Sequence, residues 1–165
     1  MLKITGIILI VVSCSAIGIS AGRHYKQRTD GIRSFIDAFR LAKAEIVFKN
    51  LPLADVYKEL ESQCSGMAKD FFKKIRQKAQ NPKSFTEDLG DMLGSDLKEP
   101  ERAEITNIMS VMGRYDSTNQ AELIDKSILR LEEYYKQAQE ELAKNGKLSS
   151  AFGVTCGIVI AVLLL

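Results

Sequence analysis

Histidine and cysteine are scarce in this chain, with one His and three Cys among 165 residues. Cys14 and Cys156 fall in the apolar ends, which leaves Cys64 alone in the polar middle. A single thiol makes no intradomain disulfide, and with only His24 available it has no zinc ligand set to join. A strong charge of one sign is missing too. Lys and Arg number 23 against 21 Asp and Glu, a net +2 that gives no global basic field for nucleic acid. No run alternates apolar and polar residues over a useful length, which argues against strands. Signatures of chemistry are also absent: there is no phosphate loop, nucleophile elbow, HExxH or dinucleotide fingerprint. His24 stands between Arg23 and Tyr25 in a basic flank, a setting for an interfacial residue rather than a general base. Glu132-Glu133 and Glu140-Glu141 are adjacent pairs, and on a helix each pair diverges around the axis. The sequence reads as a non-enzyme with no cofactor, no metal and no nucleic-acid partner.

What the chain has in quantity is apolar sequence at its two ends. From Leu2 to Gly22 the only charge is Lys3, and from Leu148 to Leu165 there is none. Helices of about 18 to 20 such residues span roughly the 30 Å hydrocarbon core of a bilayer. Residues 1–22 are therefore expected to form an N-terminal transmembrane anchor, and 148–165 a C-terminal transmembrane or membrane-inserted segment. The stretch between them, 23–147, is long enough for one hydrophobic core. Arg23, Lys26, Arg28 and Arg33 follow the first apolar stretch, and Lys144 and Lys147 precede the second. By the positive-inside rule that places the middle in the cytoplasm and both termini outside. Two processing readings compete: Ser20-Ala21-Gly22 resembles the end of a cleavable signal, and Val11-Val12-Ser13-Cys14 a lipobox. The apolar run continues past Cys14 and ends in a basic stop-transfer flank, which favours an anchor. Gly18 with Gly22 and Gly153 with Gly157 each form a GxxxG, so small faces at matching depth are candidates for packing the two spans together.

The middle is patterned for helices throughout. Ile32, Phe35, Ile36, Phe39, Ala42 and Ile46 recur at helical spacing, and Asn50 to Pro52 breaks the pattern, with Pro52 suited to a first turn. A second face runs through Leu53, Val56, Tyr57, Leu60 and Cys64 to a break at Ser65-Gly66. A third follows through Ala68, Phe71, Phe72, Ile75 and Ala79, ending near Asn81-Pro82. Ser84 and Glu87 make a capping box for a short helix with Phe85, Leu89, Met92 and Leu93 inward, stopped by Gly94-Ser95. Pro100 opens a fifth helix, with Ala103 grazing the core, Ile105, Ile108, Met109 and Met112 facing it, and Gly113 as its stop. Ser117 and Gln120 offer a cap for the last, in which Ala121, Ile124, Ile128, Leu131, Tyr135, Ala138 and Leu142 keep a heptad seam. The expected fold is all-α, an antiparallel bundle of about six helices flanked by the two transmembrane helices. A helix packed in its own bundle explains the seam; the rival is a zipper leading into a tail anchor, as in a membrane-fusion SNARE.

Charge is segregated along this middle. Lys69, Lys73, Lys74, Arg76, Lys78 and Lys83 face one acid, Asp70, whereas seven acids from Glu87 to Glu104 face Lys98 and Arg102. Either these are solvated faces of one bundle or they dock partners. In the second case the acidic residues Asp96, Glu99, Glu101 and Glu104 would meet a basic cytosolic protein and the basic stretch would rest on anionic lipid.

Taken over nearly its full length, the chain resembles the stage III sporulation protein AB family. The likeness rests on Met1-Leu2-Lys3 with Gly6, Gly18 and Arg28, and on Glu45-Ile46-Val47 leading into Pro52-Leu53. It rests also on Met112-Gly113 with Asp116 and Gln120, and on Phe152-Gly153 with Gly157 before the closing leucines. That family is similar to the cytoplasmic domains of the inner-membrane platform proteins of type II secretion and type IV pilus systems. The resemblance implies a non-enzymatic membrane platform in the channel complex between mother cell and forespore, with its soluble domain in the mother-cell cytoplasm. Implied partners are a cytosolic secretion-type ATPase, stage III sporulation protein AA, and the other stage III A-operon channel proteins, with the forespore-side protein Q reached through them. It carries over no catalytic residue. A homo-oligomer is left open, and the rival function is an exported lipoprotein or signal-anchored helical binding protein outside the membrane.

Overall fold

A computed structural model describes residues 2–49, 51–79, 89–112 and 117–146, with 152, 155, 159 and 160. Among them the architecture is all-helical: α1 (Leu2–Lys49), α2 (Leu53–Gln63), α3 (Gly66–Ala79), α4 (Leu89–Met92), α5 (Glu99–Val111) and α6 (Ser117–Glu141). A π-helical turn, Leu142–Gly146, continues α6. The chain divides into two compact units, Asp30–Lys136 and the pair of stretches Met1–Thr29 and Gln137–Leu165.

In the unit Asp30–Lys136, the apolar stripes expected from periodicity form the core. Ile32, Phe35, Phe39 and Ala42 of α1 are fully buried, as are Val56 and Leu60 of α2 and Ala68, Phe72 and Ile75 of α3. An aromatic cluster joins the three helices. Phe35 meets Phe71 edge-on at 5.3 Å, Phe71 meets Phe72 at 5.3 Å, and Tyr57 stacks on Phe72 at 6.2 Å. Such offset and edge-on pairs add about 0.5–1.5 kcal/mol each beyond area burial. Short α4 and α5 complete the core with Leu89, Met92, Ile105 and Ile108, and α6 adds Ile124, Ile128 and Leu131. The free-zipper reading of α6 needs that seam exposed. It is buried instead, so the heptads serve intramolecular packing.

Local breaks fall where the residues demand them. Gly66 opens α3 at φ +60° and Gly94 follows α4 at φ +77°, a region where a side chain is strained. The start of α3 is capped from α1, because the Ser34 hydroxyl accepts from the Ala68 N–H at 3.2 Å while donating to the Gly31 carbonyl at 2.7 Å. Gly31 packs against Met67: a Cβ there would sit 2.9 Å from Met67 Cε, so the end of that flexible side chain would have to shift. Pro52 occupies the cap position ahead of α2 rather than its first turn, since its ψ of 145° is extended. Ala103 is exposed, so it does not graze the core. The Ser84–Glu87 capping box, Phe85 and Gly113 lie outside the described residues.

Ion pairs also join the helices of this unit. Arg40 and Lys43 of α1 pair with Glu132 and Asp125 of α6, which sets the two helices antiparallel. Arg130 of α6 reaches Glu104 of α5 at 3.3 Å, and Arg76 of α3 reaches Glu61 of α2 at 2.5 Å. The solvent-accessible pairs of Arg40 and Lys43 contribute about 0–1 kcal/mol each, so they set register more than stability. Among the described residues no helix is long and apolar enough to cross a membrane. The two stretches expected to do so, 1–22 and 148–165, fall mainly on residues or side chains outside the described set.

A candidate site where α1 and α6 are clasped

The most distinctive polar arrangement lies in the second unit, where α1 before Asp30 meets α6 after Lys136. Arg28 is almost completely buried, and its guanidinium donates to a Glu141 carboxylate oxygen at 2.6 Å. Next to it the buried Thr29 hydroxyl bridges two carbonyls, that of Tyr25 on its own helix at 2.9 Å and that of Ala138 on α6 at 3.3 Å. A Cβ added to Gly22 would stand 3.2 Å from the Gly146 carbonyl, so the backbones approach closely there as well. All three contacts run antiparallel between the same two stretches.

The π turn carries Gly146 into the clasp, whereas Ala138 and Glu141 belong to the regular part of α6. One extra residue per turn shifts the phase of the last carbonyls, and such turns recur at functional positions. Within it Gly146 is buried, and a Cβ at that position would meet Leu142 Cδ1 at 2.9 Å. A side chain there would make Leu142 move its terminal methyl aside. The ion pair is the costly part of the clasp. Taking a guanidinium out of water costs several kcal/mol, and the carboxylate offsets this only while both partners hold their geometry. Glu141, with its side chain 33% exposed, keeps more hydration than Arg28 at 5%.

Around the clasp the charges divide. Arg23, Lys26 and Lys144 are exposed, and none has a carboxylate within ion-pair distance among the described residues. Along α1 beyond this point, Arg33, Arg40, Lys43 and Lys49 all hold one. Glu140 and Lys144 line a shallow hollow with Gln137, Glu141 and Asn145. Among the described residues no nucleophile stands beside a base here. The arrangement can hold two helices together and present cations, and that is its chemistry.

The residues singled out in sequence are placed unevenly. Glu99 is exposed and paired with Arg102 at 2.9 Å. Asp96 is half-buried. Glu101 is 1% exposed, and its carboxylate accepts from the Lys98 N–H at 2.9 Å, capping α5. Glu104 is 8% exposed and faces Arg130, with its other oxygen lacking a hydrogen bond among the described residues. Glu101 and Glu104 thus point into the fold, and the accessible acids of this edge are Asp91 and Glu99, beside an open cleft of about 690 Å³ between α4 and α5. On α3, Lys69 and Lys73 are exposed, Lys74 donates to the Met92 carbonyl, and Arg76 is held by Glu61. Lys83 lies outside the described residues. Of the small-residue candidates, Gly18 is buried, Gly22 faces Gly146, and Gly153 and Gly157 lie outside the described residues. Sequence reasoning missed the Arg28–Glu141 pair, having read Arg28 as one more flanking cation. Its signal was phase: Arg28 stands four residues before Ile32, on the same helical face as the core.

Comparison with known proteins gives these features a context. Residues 3–165 match the family described as Stage III sporulation protein AB. A Bacillus subtilis (strain 168) protein named Stage III sporulation protein AB is 25% identical over 173 residues, covering 100% of each chain. No solved structure matches. The chain belongs to the stage III sporulation protein AB family.

Proposed function

We propose that the chain is a membrane-anchored, non-catalytic helical scaffold of the channel complex between mother cell and forespore, coupling a cytosolic secretion-type ATPase to that channel. In this reading residues 1–22 and 148–165 enter the membrane and the helical domain lies in the mother-cell cytoplasm. The ATPase is stage III sporulation protein AA, and the other stage III A-operon proteins are neighbours. The observation that carries the reading is the clasp. Gly22 ends one expected anchor and Gly146 stands just before the other, and their backbones are in close approach. Two spans leaving from one point enter one membrane face. The Arg28–Glu141 pair and the Thr29 bridge then fix the helices that carry them, as a platform requires to transmit force from a cytosolic motor. Family membership supports the sporulation role, and the exposed acids Asp91 and Glu99 are the docking residues this reading assigns on the cytosolic side.

The test is cysteine accessibility at Lys73→Cys, an exposed position, in a chain whose Cys14, Cys64 and Cys156 are replaced. A membrane-impermeant maleimide should leave intact cells unlabelled and react after lysis. Labelling of intact cells would put the domain outside, remove direct contact with a cytosolic ATPase, and favour the exported lipoprotein or signal-anchored reading.

A further inference from the structure

We infer that Arg23, Lys26 and Lys144 form a collar that binds the headgroups of anionic phospholipid. The inference rests on the anchoring proposed above and adds a ligand to it. Its starting point is an imbalance along one helix. Among the described side chains of α1, Arg28, Arg33, Arg40, Lys43 and Lys49 each hold a carboxylate, whereas Arg23 and Lys26 are exposed and hold none. Lys144, exposed on the π turn, is likewise without one among the described residues. Arg28, Arg40 and Lys43 fix this helix against α6, and Arg33 and Lys49 pair along it; at Arg23 and Lys26 the charge is left open.

Position supplies the partner. Arg23 directly follows Gly22, and Lys144 shares the π turn with Gly146, whose carbonyl Gly22 approaches. The cations therefore all stand within about one turn of the residues from which the two apolar stretches depart. At that level of a bilayer the available counter-charge is the lipid phosphodiester, and cations beside such a surface are attracted within a Debye length. Three acids stand nearby. Glu141 is neutralised by buried Arg28, Glu140 remains exposed beside Lys144 in the shallow hollow, and Asp30 is exposed one turn beyond Lys26 on α1. Two open acids against three open cations still leave the collar positive, which favours a net-anionic headgroup over a zwitterionic one.

The full-length chain reconstituted into nanodiscs of mixed phosphatidylcholine and phosphatidylglycerol tests this, with the retained lipids counted by native mass spectrometry. Phosphatidylglycerol should be enriched over its bulk share. Arg23→Gln, Lys26→Gln and Lys144→Gln should each lower that preference, by up to roughly fivefold per cation near an anionic surface. Lys69→Gln with Lys73→Gln, which removes exposed cations of α3, should leave it unchanged. Retention at the bulk ratio in the parent chain, or equal enrichment in the triple variant, would overturn the inference. Insertion into pure phosphatidylcholine discs is scored separately. A chain that fails to insert sinks the anchoring and the collar together, whereas insertion without enrichment sinks the collar alone.

Discussion

Cutting the clasp at its two ends should have unequal consequences, and the inequality follows from burial. The Arg28 side chain is 5% exposed and that of Glu141 33%. Glu141→Gln removes the carboxylate from a guanidinium that water barely reaches. Breaking a fully buried pair costs about 3–5 kcal/mol, and the partial exposure of Glu141 brings the expectation down to about 2 kcal/mol. Arg28→Met keeps most of the stem volume and leaves behind a carboxylate that water already touches, so about 1 kcal/mol is expected. The double variant should recover part of the loss, because no uncompensated buried charge remains. Thermal unfolding of the full-length chain in nanodiscs, followed by circular dichroism at 222 nm, reads the series. For a chain of this size about 2 kcal/mol corresponds to a fall of roughly 4–8 °C in Tm. The reasoning fails if Arg28→Met costs more than Glu141→Gln, or if the double variant is no better than the worse single. Either result would mean that the guanidinium is stabilised mainly by its other contacts and that the carboxylate is incidental.

Ser34→Ala should cost about 1 kcal/mol by uncapping α3, seen as an earlier denaturation midpoint, while Ser62→Ala, whose hydroxyl bonds only within its own turn, should change little. Gly22→Leu should lower stability by about 1–3 kcal/mol through collision with the Gly146 carbonyl, and Gly22→Ala by less; equal stability of all three would show that the approach is loose. Burial pushes the Tyr57 phenol up to about 12 from 10.0. Its folded pKa is raised, so its contribution is fully present below pH 10 and is lost as pH rises toward 12, about 3 kcal/mol in all. An alkaline titration at 295 nm should show a late tyrosinate component that Tyr57→Phe removes. Cys64, whose thiol is pushed up by burial and by nearby Asp37, should react slowly with a maleimide at neutral pH in the folded chain and quickly in denaturant.

Much of the helical unit was legible because its cues are local. Pro52, Gly66 and Gly94 fall at the ends of helices for reasons of backbone geometry, and the stripes from Ile32 to Phe39 and from Ala68 to Ile75 mark faces that have to be buried. The cap on α3 was not legible. Its acceptor is Ser34, far away in sequence, whereas the sequence points to Ser65, the residue just before Gly66. Nor does any sequence rule announce the π turn at Leu142–Gly146 or the approach of Gly22 to the Gly146 carbonyl.

The misreadings of charge share one cause, and it is correctable. Helical phase was assigned from apolar residues alone, yet a face has a phase whatever occupies it. Stepping back four residues from Ile105 and Ile108 gives Glu101 and Glu104, both buried; one of them caps α5 and the other meets Arg130. The same step from Ile32 gives Arg28, and three forward from Ala42 gives Glu45, buried beneath Lys49. On α6, Gln120 and Ser127 keep phase with Ile124 and Leu131 and are buried as well. Ala103, apolar but out of phase with Ile105 and Ile108, is exposed. A polar residue on the core phase has to find a partner or give up charge, so each such position predicts a specific contact. A polar residue off the phase predicts only solvent or a partner molecule. Sorted this way, the acidic stretch from Asp91 to Glu104 stops being one patch. Glu101 and Glu104 belong to the fold, and Asp91 and Glu99 are the acids it leaves exposed.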